Sequence, residues 1–169
     1  MLYVLSYPAL AASDAERIEK FRRIHEPERA GLVRAHITLV FGVRTIGVDD
    51  LSSRVESVAK GTAPFAVTFD RAEQAGVHNV FLLVDEGAST LESMHHLLYA
   101  GSLSRELLPN EPFRAHMTVA TAASEDRVLR AMKDVSQIGL PIRGRIEKLE
   151  IVALGISMGH QHHDLRTGR

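Results

Sequence analysis

The chain has 169 residues, 45% of them hydrophobic and 24% charged, the proportions of an ordinary globular domain able to build its own core. A formal net charge of −1 excludes a whole-molecule basic field, so any nucleic-acid substrate must be short and gripped locally. With no cysteine, the chain has no disulfide framework, thiol nucleophile or zinc–thiolate site, which fits a cytoplasmic location.

In chain order, Leu2 to Tyr7 is a short apolar run ended by Pro8 and is predicted as a strand. It lacks the basic start of a signal peptide, and no later run suits a membrane span, so no membrane association is expected. Ser13-Asp14-Ala15-Glu16 reads as a capping box opening a helix with Ile18, Phe21 and Ile24 on its apolar side, stopped by Pro27. A strand that carries His36 and Thr38 and runs into Leu39-Val40-Phe41 follows. Leu51, Val55 and Val58 then mark a helix after Asp49 or Asp50 that closes near Gly61. Phe65 to Phe69 and Val80 to Val84 are predicted strands, joined through Gly76 and Asn79.

A second capping box, Ser89-Thr90-Leu91-Glu92, precedes a helix with Leu91, Met94, His95 and Leu98 on one face, ending near Gly101 before Leu107-Leu108-Pro109. After a strand that carries His116 and Thr118 and runs into Val119-Ala120, Ser124 is placed to cap a helix whose stripe is Val128, Ala131, Met132 and Val135. Ile142 to Leu154 is predicted as strand with a turn at Gly155, and Ile156 to Asp164 as a last strand or the start of a tail.

The pentapeptide Arg34-Ala35-His36-Ile37-Thr38 recurs as Arg114-Ala115-His116-Met117-Thr118. On a strand, residues i and i+2 share a face, so each copy presents an imidazole beside a hydroxyl. Each copy leads into the same succession of strand, helix, strand, turn and strand, which reads as an internal duplication within one domain spanning 1–169. Packing alone gives no reason to put histidine and threonine in both inward slots, because buried polar groups without partners cost free energy. Two such units across a groove would supply an acid, a base and two hydroxyl donors, a set suited to phosphodiester chemistry without a metal.

The doubled His-x-Thr pattern, its spacing and the element order resemble the two-histidine phosphoesterase superfamily, in particular its bacterial 2′-5′ RNA ligase and RNA 2′,3′-cyclic phosphodiesterase branch. The resemblance runs from Leu2 to about Ile156. It implies an α+β fold of two pseudo-symmetric lobes, each a small mostly antiparallel sheet with outer helices, facing across a central groove. It also implies that His36 and His116 are the acid–base pair and that Thr38 and Thr118 bind phosphoryl oxygens. Ala35 and Ala115 stand where relatives often carry proline, and no basic residue follows Thr118.

Arg34 and Arg114 share the parity of their histidines and are candidates for gripping phosphate. Tyr7 and Phe113 are candidates for stacking a base. The expected activity is metal-independent hydrolysis of a 2′,3′-cyclic phosphate or a 2′-5′ linkage, with ligation as the reverse. The expected substrates are short RNA ends or cyclic-phosphate nucleotides, with no cofactor, no stable protein partner and a monomeric state. The alternative is a non-catalytic RNA-end or nucleotide-binding module using the same groove. A metal-dependent hydrolase built on His160, His162 and His163 is a further alternative, but no carboxylate or cysteine cluster at ligand spacing accompanies them. His25 falls at a helix end, His78 in a turn, and His95-His96 at a helix boundary. Arg143 and Arg145 alternate on a strand.

Overall fold

The computed structural model describes residues 1–107, 112–153 and 159–165, and for 159–162 the backbone alone. The strands are β1 (Leu2–Ser6), β2 (Ala9–Leu10), β3 (Ile37–Val43), β4 (Phe65–Ala75), β5 (Asn79–Val84), β6 (His116–Thr121), β7 (Ile142–Ile146), β8 (Lys148–Ala153) and β9 (Gly159–Asp164). The α-helices are α1 (Ala12–His25), α2 (Pro27–Ala30), α3 (Val48–Gly61), α4 (Ala88–Leu98) and α5 (Glu125–Asp134). Short 3₁₀ turns occupy Gly101–Glu106 and Val135–Ile138. Among the described residues no helix is long and apolar enough to cross a membrane.

The strands form an antiparallel sheet in the order β2-β7-β4-β5-β6-β3-β1-β8-β9. The two expected sheets meet edge to edge at β3 and β6, which pair through Ile37 and Met117. On one face, the helices cover a core that includes Val4, Ile37, Leu82 and Met117, all with no exposure. Helices α1 and α5 pack on β6, and α4 packs on β3, so the helix preceding each motif strand lies against the other motif's strand. The opposite face of β1, β3, β5 and β6 carries the alternate residues.

Several expectations change in detail. Neither capping box forms: α1 starts at Ala12 and α4 at Ala88, so Ser13 and Ser89 sit inside the first turn without side-chain cap bonds. Ser124 does precede α5, also without a side-chain cap bond. Ile24 is exposed, because the 3.6-residue period of α1 carries the buried face through Ile18, Phe21 and Arg22 instead. Pro27 ends α1 but also starts α2, where its missing N–H costs nothing. Asn79 belongs to β5 and not to the connection before it. The segment from Ile142 is not one strand: it breaks at Glu147, so β7 joins β4 while β8 crosses to β1. The segment 159–164 is a strand paired with β8, whereas Leu108, Pro109, Leu154, Gly155 and Ile156 lie outside the described residues.

Gly87 turns the chain into α4 at φ 85°, and a Cβ there would stand 2.6 Å from the Ala66 carbonyl oxygen and 2.8 Å from Val67. Both strain and overlap oppose a side chain. Gly87→Ala is expected to lower stability by about 2 kcal/mol or more in urea unfolding, with no change in the groove.

Candidate active site

The register of the central strand pair assembles the site. With Ile37 opposite Met117 in an antiparallel pair, His36 falls opposite Thr118 and Thr38 opposite His116. Side chains opposite one another stand on the order of 5 Å apart at Cβ. Neighbouring strands extend the same face. Leu5 pairs with Thr38 and with Glu150, and Phe81 pairs with Thr118. Imidazole and hydroxyl therefore alternate across the seam.

His36, Thr38, His116 and Thr118 line one groove of about 500 Å³, with Tyr3, Leu5, Tyr7, Arg29, Arg34 and Glu150 among the surrounding residues. Both rings are partly exposed and anchored alike. His36 Nδ1 lies 2.7 Å from the Arg34 carbonyl oxygen, and His116 Nδ1 lies 2.6 Å from that of Arg114. A carbonyl only accepts, so each Nδ1 carries the proton and donates it. Each Nε2 of a neutral ring is left as the proton acceptor.

Burial drives the His36 imidazole down to about 4. The Arg34 carbonyl opposes this, while Arg22, Arg29 and the His116 ring push further down. Burial also lowers His116, against the pull of the Arg114 carbonyl, and the Arg114 guanidinium adds a smaller downward push. The His116 ring is the last of the charges that bear on His36 across the groove.

The remaining candidates divide. Arg34 lies at the groove with its guanidinium carbon 4.5 Å from the centre of the Tyr7 ring, and Tyr7 in turn meets His36 edge-on at 5.9 Å. Arg114 is placed differently from the expectation. It is engaged by Glu73 through two bonds of 2.9 and 2.7 Å, and it lines a neighbouring cavity instead of the groove. Parity sets the face of Arg114, but the carboxylate on β4 sets where its long side chain ends. Phe113 also lines that cavity, stacked on His95 at 4.1 Å.

Sequence reasoning passed over four groups. Phe81 stacks on His116 at 3.7 Å, a contact that follows from β5–β6 pairing and cannot be read from spacing. Arg29 reaches the groove from α2. Glu150 enters it from β8, buried and 3.0 Å from Lys148. Behind His36, Arg22 is 1% exposed and bonds Glu26 at 2.5 Å and Glu19 at 3.0 Å. Glu19 also accepts from the Ala35 amide at 2.6 Å, tying this buried network to the residue before His36.

Other histidines have local partners. His163 bonds Ser52 at 3.2 Å, His25 faces Asp134 at 3.4 Å, and His78 bonds the Ala122 carbonyl at 3.0 Å. The side chains of His160 and His162 lie outside the described residues. Arg143 and Arg145 are both exposed, and Arg145 bonds the Pro64 carbonyl.

Removing the Arg22 guanidinium would leave Glu26 buried without its cation. Arg22→Met is expected to cost about 3–5 kcal/mol in urea unfolding, and adding Glu26→Gln should recover part of that loss.

The sequence matches the family model described as the 2′-5′ RNA ligase superfamily over residues 10–155. A search of curated proteins returns no significant match. Among solved structures, E. coli LigT complexed with NADP+ aligns with TM-score 0.60 and 21% identity, covering 98% of this chain and 94% of that one. E. coli LigT complexed with 3′-AMP aligns with TM-score 0.57 and 18% identity over the same shares. Usb1 of Kluyveromyces marxianus aligns with TM-score 0.55 and 11% identity, covering 94% of this chain and 96% of that one. At these identities the structural likenesses establish the fold. The family match takes in both His-x-Thr motifs and most of the chain, which belongs to the 2′-5′ RNA ligase superfamily of two-histidine phosphoesterases.

Proposed function

We propose that this protein is a metal-independent phosphodiesterase that opens a 2′,3′-cyclic phosphate or a 2′-5′ linkage on an RNA end or a nucleotide. One observation carries the reading. Two imidazoles line one groove, each with Nδ1–H held by a main-chain carbonyl and Nε2 left for proton transfer. The capture of E. coli LigT with 3′-AMP supports a ligand of nucleotide size.

For a cyclic phosphate, a water oxygen bonds to phosphorus and one ribose oxygen leaves. The neutral ring takes the proton from that water at Nε2. The protonated ring gives its Nε2 proton to the departing ribose oxygen, so the pair ends with its protonation states exchanged. The Thr38 and Thr118 hydroxyls donate to the non-bridging oxygens, where charge builds, and Arg34 adds positive charge at the groove. Arg114 contributes to this grip only if it exchanges Glu73 for phosphate. Ligation is the same path run backwards, with a nucleotide hydroxyl in place of water.

The decisive assay uses 2′,3′-cyclic AMP and a 2′-5′-linked diadenosine monophosphate in EDTA. His36→Ala and His116→Ala should each lower kcat by about 10²–10⁴-fold while nucleotide binding persists. Binding without turnover in the unaltered protein would favour a non-catalytic nucleotide-binding module instead.

The pH dependence has a defined sign. One ring must be neutral and the other protonated, and both are shifted below the ordinary 6.5. The kcat/KM profile should be bell-shaped, rising through about pH 4 and already falling by pH 6.5, so its optimum is acidic. A profile flat from about pH 5 to 8 overturns paired histidine catalysis.

A further inference from the structure

The strand that carries the second motif continues as Val119-Ala120-Thr121 and brings no cation of its own to the groove. Arg114, before that motif, is held by Glu73 and lines the neighbouring cavity. One guanidinium reaches the groove from another element. Arg29 stands on α2, a single turn, and lines the groove together with His36, Thr38, His116 and Thr118. It is exposed, and among the described residues it forms no ion pair. Its charge bears on the His36 ring, so the two stand within each other's field.

Contacts at both ends fix where this side chain lies. At its tip, Nη1 donates to the Thr121 hydroxyl at 3.1 Å. Thr121 ends β6, so the tie point belongs to the strand of His116 and Thr118. A hydroxyl has one proton, and two acceptors face this one, Asn79 Oδ1 at 3.0 Å and Glu26 Oε2 at 3.2 Å. With the proton drawn towards them, the oxygen turns a lone pair to Arg29. Glu26 is 3% exposed and is itself held by the Arg22 guanidinium at 2.5 Å. At the other end, the Arg29 carbonyl accepts the Leu32 and Val33 amides at 3.0 Å each, which closes the turn after α2. A bond through one Nη1 proton leaves the remaining guanidinium donors for a ligand. A long side chain already tied in place loses less freedom on gripping an anion than an untied one.

We infer that Arg29 is the cation that holds a non-bridging phosphoryl oxygen of the substrate, and that Thr121, backed by Asn79 and Glu26, is the residue that positions it. This rests on the proposed phosphodiesterase chemistry and adds a full positive charge, which the neutral hydroxyls of Thr38 and Thr118 do not supply. Phosphoryl oxygens accept hydrogen bonds and carry negative charge, and a guanidinium with free donors answers both properties. Arg34, stacked on the Tyr7 ring, adds charge to the groove but has no such tie among the described residues. The cation thus comes from a helical turn between the two motifs' strands in space, and not from either motif.

The test follows kcat/KM against pH, for 2′,3′-cyclic AMP and the 2′-5′-linked diadenosine monophosphate, in Arg29→Gln, Arg29→Lys, Thr121→Val and the double variant Arg29→Gln with Thr121→Val. Arg29→Gln should lower kcat/KM by about 10²-fold, and Arg29→Lys should recover part of it by keeping the charge. The low-pH limb should move up in Arg29→Gln and not in Arg29→Lys, because a cation beside His36 opposes its protonation. Arg22 and the His116 ring, the other charges that push on His36, are unchanged in both variants. Thr121→Val should cost about 2–10-fold alone and nothing further in the Arg29→Gln background. No loss in Arg29→Gln, or an equal loss in Arg29→Lys with the low-pH limb unmoved, overturns the assignment of Arg29. Additive losses in the double variant overturn the role of Thr121. If the unaltered protein turns over neither substrate, the phosphodiesterase reading fails, and the grip is judged by equilibrium binding of 3′-AMP. A Kd raised by Arg29→Gln and less so by Arg29→Lys then supports it, and an unchanged Kd overturns it.

Discussion

The whole arrangement depends on one pairing, Ile37 of β3 against Met117 of β6. A slip of one residue there would turn the histidines and threonines of one motif to the core and bring its apolar residues to the groove, since side chains alternate along a strand. The register is held by what lies on the other face. Ile37, Leu39, Met117 and Val119 have no exposure and are enclosed by the helices, so a slip would bury imidazole and hydroxyl in their place. The hydrophobic core thus fixes the geometry of a polar site on the other face of the sheet.

Around that seam the two imidazoles are anchored alike and surrounded differently. Each imidazole is tied to the carbonyl two residues before it, which sets tautomer and ring orientation identically. Behind the first stands a buried guanidinium braced by Glu19 and Glu26, with Glu19 also holding the amide of Ala35. Against the second lies the flat face of Phe81, and its nearest guanidinium, Arg114, is matched by Glu73. A buried ion pair is weak evidence for stability, because its Coulomb gain offsets a large desolvation cost. Here its structural consequence is clearer: it fixes where the chain enters β3 and so where His36 emerges.

Burial in the groove depresses both rings and favours their neutral forms in the free protein. Under the proposed function, an arriving phosphodiester would bring negative charge into the same low-dielectric space and favour the protonated form of whichever ring it approached. In that proposal, substrate binding and ring protonation are coupled. Leu5 and Tyr7 give the groove apolar wall, which would strengthen that coupling by keeping water away from the charges.

Sequence by itself determined what is local or periodic. The repeated pentapeptide identified four groove residues, because alternation on a strand is a property of the backbone, and the stripe Leu91, Met94, His95 and Leu98 marked a buried helix face for the same reason. It also carried the family, since both motifs lie within the matched span. Only the tertiary structure decided where long side chains end and which strands become neighbours. Arg114 has the parity of His116 but is taken by a carboxylate on β4, and Phe113 stacks on α4 in place of the groove. Phe81, Arg22 and Glu150 reach the site through strand pairing and helix packing between residues far apart in the chain. The break at Glu147, which sends β7 and β8 to different partners, has no composition signal. Such contacts are chosen by the energy of the assembled core and of paired charges, terms that do not exist until distant segments meet.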